Sequence, residues 1–247
     1  MKTEYKNSGW LLVNKPQGIE SFGVVRKLKF KYKFHKIWFS GKLDPLASGL
    51  LLIGVNKATK KIPLIHQKKK LYEVQIYFGA ATPTLDAEGR FEKIKPISHA
   101  VTERRAHLKK FIGRYDQKIP NFSAHKIEGK NMYELARSNT FINIRHKPVL
   151  ISSLKVLYST HKTLGLEIEC NTGFYVRAFA EEFADSLGEY AYASFIKRLK
   201  IGDFNISHAV EFEKILDFST IHDLDSHLTT IWAGRHPGQM MLTFWKE

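Results

Sequence analysis

The stretch Phe39-Ser40-Gly41-Lys42-Leu43-Asp44-Pro45-Leu46-Ala47-Ser48-Gly49 sets one carboxylate, Asp44, before a proline and among small residues. A carboxylate so placed is a turn residue, or a nucleophile or base held out from a loop. Pro45 biases the Asp44 backbone towards an extended conformation, and Gly41 lets the backbone come close to a ligand. The apolar run Leu50 to Val55 reads as a buried strand that anchors the loop on a core. No second carboxylate stands at a fixed short spacing, and there is neither a metal-ligand cluster nor a Walker-type phosphate loop. Whatever Asp44 does is expected to need no metal and no cofactor.

The elements that must position this loop follow from pattern and punctuation. Trp10 to Asn14 reads as a strand running into a Lys15-Pro16-Gln17-Gly18 turn. Ser21 is expected to cap a helix with Val24, Val25 and Leu28 on one face and Arg26, Lys27 and Lys29 elsewhere. Lys57 to Gln67 reads as a basic amphipathic helix, kinked or broken at Pro63. Leu71 to Phe78 is a strand, in which Tyr72 by itself is a core or edge aromatic, and Thr82 to Gly89 is loop.

Ser98 to Ile112 is an expected helix with Ser98 as N-cap and Gly113 as C-cap, and Lys130 to Ser138 a shorter one. Strands are expected at Val149 to Leu157 and Leu164 to Cys170, and a helix at Tyr175 to Leu187, closed by Gly188. On its own, Arg177 is a surface charge at that helix start. Ala193 to Phe204 reads as a strand pair or a strand and turn. Strands and helices intersperse without regular βαβ alternation, so the fold class is α+β with a mixed or antiparallel sheet and flanking helices.

Composition narrows the function. The chain has 247 residues, with 39 Lys+Arg against 24 Asp+Glu, a formal charge of +15. A surplus of that size suits a polyanion, nucleic acid first. The single cysteine, Cys170, excludes an intramolecular disulfide and a cysteine-built zinc site. The N-terminus lacks the apolar stretch of a signal peptide, and no run approaches the length of a membrane span. A soluble, cytoplasmic, monomeric protein is expected, with no membrane partner. Residues 1–204 are expected to form one domain and 205–247 an extension.

Gly41 to Leu51, GKLDPLASGLL, resembles the GHxGTLDPxAxGLL active-site motif of the TruB-type pseudouridine synthases. Four more segments agree in order and spacing. Asn14 to Gly18 with Ser21 is similar to the family's KPxGxxS turn. Lys70-Leu71-Tyr72, then Phe78-Gly79, Thr82, Thr84, Asp86 and Gly89, resembles its KxYxxxxxxGxxTxTxDxxG segment. Gln117 to Gly129 with Tyr133 and Arg137 is similar to QxPPxYSAxKxxG, and Cys170 to Arg177, CNTGFYVR, to CSxGTYIR, with Leu187-Gly188 and Lys197-Arg198-Leu199 beyond. The resemblance covers about residues 10 to 205.

It implies a pseudouridine-synthase-like fold and an enzyme that breaks the N1–C1′ bond of a uridine in RNA, turns the uracil and rejoins it through C5. The implied substrate is the T-stem-loop of tRNA, modified at U55. Asp44 is then the carboxylate that attacks C1′ or takes a proton from C2′, and Arg177 the cation that keeps it ionised. Tyr72 stacks on the flipped uracil and is a candidate for handling the C5 proton, with Ile196 on the base's other side. Lys15, Phe39, Lys42, Lys126 and Tyr175 complete the expected substrate contacts. The Arg26-Lys27-Lys29 helix and the run Lys68-Lys69-Lys70 are expected to follow RNA phosphates.

The chain also departs from the pattern. Trp38-Phe39 stands where the family has Gly-His, Lys42 where it has Thr, and Phe122 where it has Tyr. The acidic stretch after Arg177 is shifted to Glu181-Glu182 and Asp185, and the tail shows no clear PUA domain. These departures support an alternative: an RNA-binding protein of the same fold with weak or no catalysis, such as a tRNA-folding or ribosome-assembly factor.

Overall fold

The computed structural model describes residues 7–120, 126–127, 130–131, 146–218, 224–228, 230–233 and 240–243. The chain forms two compact units, residues 1–70 with 197–247 and residues 71–196. The first unit opens with β1 (Gly9–Lys15), α1 (Ser21–Tyr32), β2 (Ile37–Ser40) and β3 (Ser48–Val55). β3 is buried from Gly49 onward because it is flanked on both edges: Trp10 of β1 lies opposite Gly54 on one side and Trp38 of β2 on the other. α1 buries Val24, Val25, Leu28 and Tyr32, an apolar stripe at helical spacing. Ser21 is not its cap, however. Glu20 holds the cap position and Ser21 is the first helical residue, with its hydroxyl turned to a loop described below. The stretch after β3 splits as Pro63 requires, into a 3-10 turn at Asn56–Lys61 and a short α2 (Ile62–His66) with the proline in its first turn.

The second unit begins within β4 (Lys70–Phe78). β5 (Ala80–Ala81) pairs with β6 (Lys93–Ile94) and brackets the Thr82–Gly89 loop. The helix expected over 98–112 is shorter than its pattern. α3 spans Val101–His107, tightens into a 3-10 turn at Leu108–Phe111, and is opened by the Ala100 N–H on Glu103 Oε2 at 2.8 Å. Ser98 instead gives its N–H and hydroxyl to Glu189. Gly113, at φ +111°, starts β7 (Gly113–Lys118) rather than capping a helix. β8 (Lys126–Ile127) and β9 (Lys130–Asn131) form a small ladder. Lys130 and Asn131 are therefore strand, and the rest of the helix expected there lies outside the described residues, as do Phe122, Tyr133 and Arg137.

β10 (His146–Ser159) lies antiparallel to both β7 and β11 (Thr163–Cys170). α4 (Val176–Asp185) buries Phe179 and Phe183 in an aromatic core with Phe78, Phe111 and Phe174. β12 (Ala191–Ile201) completes this unit's order β12-β4-β11-β10-β7.

From Lys197 the chain belongs to the first unit again. There β12 runs parallel to β3, with Arg198 opposite Gly49, and turns back at Gly202 into β13 (Phe204–Asn205). Ile201 and Phe204 join Trp10, Leu12, Leu50, Leu52 and Ile65 in this unit's core. β14 (Val210–Glu211) pairs in parallel with β1, and α5 (Phe212–Asp217) buries Phe212 and Ile215. Tyr32 of α1 donates to the Ile215 carbonyl at 2.5 Å. β15 (Thr230–Ala233) and β16 (Met240–Thr243) form an antiparallel pair. The fold is thus α+β with a mixed sheet. Among the described residues, no helix is long and apolar enough to cross a membrane.

Candidate active site

Asp44 sits half-buried on the loop between β2 and β3, and that loop is tied at nearly every second residue. Arg198, fully buried on β12, donates through Nη2 to the Gly41 carbonyl at 2.9 Å and through Nε to the Leu50 carbonyl at 2.8 Å. One planar guanidinium so holds both ends of the loop, a geometry that an ammonium cannot reproduce. Between those ends the Ser21 hydroxyl accepts from the Leu43 N–H at 2.8 Å and donates to the Leu43 carbonyl at 3.0 Å. The Pro45 carbonyl accepts from the Gly18 N–H at 2.8 Å, and the Ala47 N–H closes a turn on the Asp44 carbonyl at 3.1 Å. Leu43 and Ala47 are buried on either side. The two glycines of the loop are steric necessities. Gly41 has φ +73°, and at Gly49, φ +99°, a Cβ would stand 2.4 Å from the Arg198 carbonyl oxygen.

Lys15 does not face solvent, as a phosphate contact would require. It is fully buried, and its ammonium donates to the carbonyls of Pro16 at 2.8 Å, Ile19 at 2.6 Å and Pro45 at 3.5 Å. These bonds hold the turn after β1 against the Asp44 loop. Lys70 is likewise buried, with its ammonium on the His66 carbonyl, whereas Lys69 is exposed. Phe39 is half-buried and stacks on Trp38 with ring centroids 5.2 Å apart, and Lys42 is exposed.

In the second unit Arg177 lies in the first turn of α4 and is buried. It donates through Nη1 to the Thr84 carbonyl at 2.7 Å, and its Nε stands 3.6 Å from Asp86 Oδ2. Asp86 is in turn fixed within its loop, accepting at Oδ1 from the Thr84 hydroxyl at 2.7 Å and the Glu88 N–H at 3.1 Å. The entry to α4 is gripped by Gln117. This fully buried amide accepts from the Tyr175 N–H at 2.7 Å and donates to the Tyr175 carbonyl at 3.0 Å. Tyr175 carries the Lys147 ammonium 3.8 Å above its ring centroid. Burial pushes that ammonium down to about 8. On the inner side of α4, burial pushes the Glu182 carboxyl up to about 6, against the opposing Lys118 N–H that it accepts at 2.6 Å. Tyr72 is half-buried on β4, and Ile196 is buried on the adjacent strand β12. Lys126 lies on β8, opposite Asn131.

Lys15, Phe39, Lys42 and Asp44 therefore belong to one loop and its flanks in the first unit, and Tyr175 and Arg177 to one helix entry in the second. Four positioning residues are not evident from local sequence: Arg198, Ser21, Asp86 and Gln117. Each stands inside a matched motif, which is the one signal that marks it, but its partner is remote in the chain. Among the described residues, no group of three or more His, Cys, Asp and Glu side chains could hold a metal ion.

Residues 27–176 match the family described as TruB family pseudouridylate synthase (N terminal domain). The tRNA pseudouridine synthase B of Rhizobium etli is 35% identical over 227 residues, covering 92% of this chain and 73% of that protein. That of Flavobacterium johnsoniae is 35% identical over 217 residues, covering 84% of this chain and 94% of its own. Among solved structures, a chain of a Cbf5-Nop10-Gar1 complex superposes with TM-score 0.68 at 19% identity, over 88% of this chain and 56% of that one. A chain of an H/ACA RNP bound to a substrate RNA containing 2′-deoxyuridine gives TM-score 0.65 at 17% identity, over 91% and 62%. This chain thus spans less than two thirds of those two chains, and the likeness is one of fold.

Proposed function

The chain belongs to the TruB family of pseudouridylate synthases, and from that premise we propose that it isomerises uridine to pseudouridine in tRNA, at U55 of the T-loop, in the cytoplasm. Asp44 is the nucleophile or base. It attacks C1′ or removes a proton from C2′ as the N1–C1′ bond breaks. The uracil turns, C5 bonds to C1′, and the C5 proton is lost while N1 gains one, so no oxidant or reductant enters. Arg177 supplies the cation of the reacting site, and Tyr72 stacks on the flipped uracil and handles the C5 proton. Phe39, Lys42, Lys126, Tyr175 and Ile196 contact the RNA.

The observation that supports this reading best is the construction of the Asp44 loop. A half-buried carboxylate projects from a backbone tied at Gly41, Leu43, Pro45 and Leu50, the preorganisation that a reacting group needs. The test is tritium release from C5-tritiated uridine in a tRNA transcript. Asp44→Asn is expected to abolish release while leaving binding of the transcript intact. If the unmodified protein releases no tritium from any RNA, the enzyme reading is overturned in favour of an RNA-binding role.

A further inference from the structure

Away from the Asp44 loop, α1 and β2 of the first unit enclose an open groove of about 620 Å³. Three large rings on its walls face solvent: Phe22 at 51% exposure, Phe30 at 78% and Trp38 at 47%. Three cations, Arg26, Lys29 and Lys36, stand among them, and among the described residues no carboxylate lines the groove. A second groove of about 570 Å³ continues along the same helix and shares Arg26 and Phe30. Trp38 ends this track towards the loop. Its ring meets Phe22 edge-on at 6.0 Å and stacks on Phe39 at 5.2 Å. At Phe30, the Lys33 ammonium lies 4.6 Å from the ring centroid. Soluble proteins keep such apolar surface exposed where something docks on it. Rings alternating with cations, without acids, match the two faces of a single-stranded nucleic acid: bases that stack and phosphates that pair with Arg and Lys. A second copy of this chain, at +15, is repelled by the same charges.

We propose that the Phe22–Phe30–Trp38 track binds an unpaired stretch of RNA outside the reacting nucleotide, with bases stacked on the rings and phosphates on Arg26, Lys29 and Lys36. The proposal rests on the RNA-directed reading of the Asp44 loop and adds a second contact to it. Its occupant is single-stranded and read without regard to base, because every base has a stacking face.

The probe is a fluorescein-labelled ten-nucleotide oligoadenylate, which contains no uridine and so cannot report on catalysis. The full chain is expected to bind it, and Phe30→Ala to weaken binding about tenfold, the loss of one stacked base. Arg26→Ala is expected to weaken binding and to lower the slope of log affinity against log salt by about 0.7, one phosphate, while Phe30→Ala leaves that slope unchanged. Phe30 is mostly exposed and alanine favours helix, so the variant keeps the fold. Oligoadenylate binding that Phe30→Ala leaves unchanged overturns the proposal. So does poly-glutamate bound as tightly as the RNA and weakened equally by Phe30→Ala, which assigns the track to an acidic protein segment. Asp44→Asn separates the two readings: it removes tritium release but not oligoadenylate binding. Failure at the track therefore leaves the catalytic reading standing, and loss of catalysis leaves the track.

Discussion

The guanidinium of Arg198 donates to the Gly41 carbonyl at 2.9 Å and thereby fixes the entrance of the loop that carries Asp44. A second bond, to Leu50, fixes its exit. The carboxylate proposed to do the chemistry is thus placed by a residue about 150 positions away, |i−j| being 157 and 148 for the two contacts.

Replacing Arg198 with lysine removes the fork while keeping the charge. One of the two carbonyls then lacks its partner, and stability is expected to fall by about 1–3 kcal/mol in urea unfolding. Because Asp44 loses its fixed position, kcat for pseudouridine formation should drop at least tenfold with KM little changed. An unchanged kcat in a folded Arg198→Lys protein would show that the loop holds itself.

Lys15→Met tests whether that buried ammonium holds protein or RNA. Three carbonyls lose a charged donor, so destabilisation of about 2–3 kcal/mol is expected in thermal or urea unfolding. The salt dependence of tRNA binding should stay as it is. A slope reduced by about 0.7–0.9 would instead assign Lys15 to a phosphate.

Asp86→Asn keeps an acceptor for Thr84 and Glu88 but removes the negative charge beside Arg177. Removing the negative charge beside this buried guanidinium should cost about 1–3 kcal/mol. Turnover should fall as Arg177 shifts, while oligoadenylate binding at the α1 track stays constant. Circular-dichroism melts and tritium release measure the two effects separately.

Glu182 gives a pH signature. Burial raises its folded carboxyl to about 6 from the ordinary 4.5. The folded state therefore holds the proton more tightly than the unfolded chain does. Its stabilising contribution is full below about 4.5 and is lost as pH rises through about 6. Glu182→Gln should accordingly raise Tm relative to the unmodified protein at pH 8 and change it little at pH 4. A Tm difference that is equal at both pH values contradicts the assignment.

Much of the architecture is legible in local pattern. The run from Leu50 to Val55 is a buried strand because β1 and β2 flank it, and Leu71 to Phe78 is a strand by its β-forming residues. What spacing cannot show is where a polar group finds its partner. Ser21 looks like a helix cap, but Leu43, 22 residues on, occupies its hydroxyl. Lys15 looks solvent-facing because lysines usually are, yet three carbonyls converge on it. Gly113 suits a helix end by type, but the backbone uses its positive φ to enter β7. Asp44 was marked by its motif, whereas the roles of Arg198 and Gln117 emerge only from contacts between distant segments.

The pairing of Val210 with Val13 and of Glu211 with Asn14 has a further consequence. The apolar strand that precedes the Lys15 turn would otherwise present an open backbone edge, a template for another chain to add to. Two residues from beyond position 204 occupy that edge, and the Glu211 carboxylate accepts from the Asn14 amide at 2.7 Å. They also oppose slippage of β1 by one residue, which would exchange its faces and turn Lys15 out of the interior. The tail therefore covers the Val13–Asn14 edge and adds to the register that β3 sets along β1, and a chain cut after Phe204 would leave that edge open.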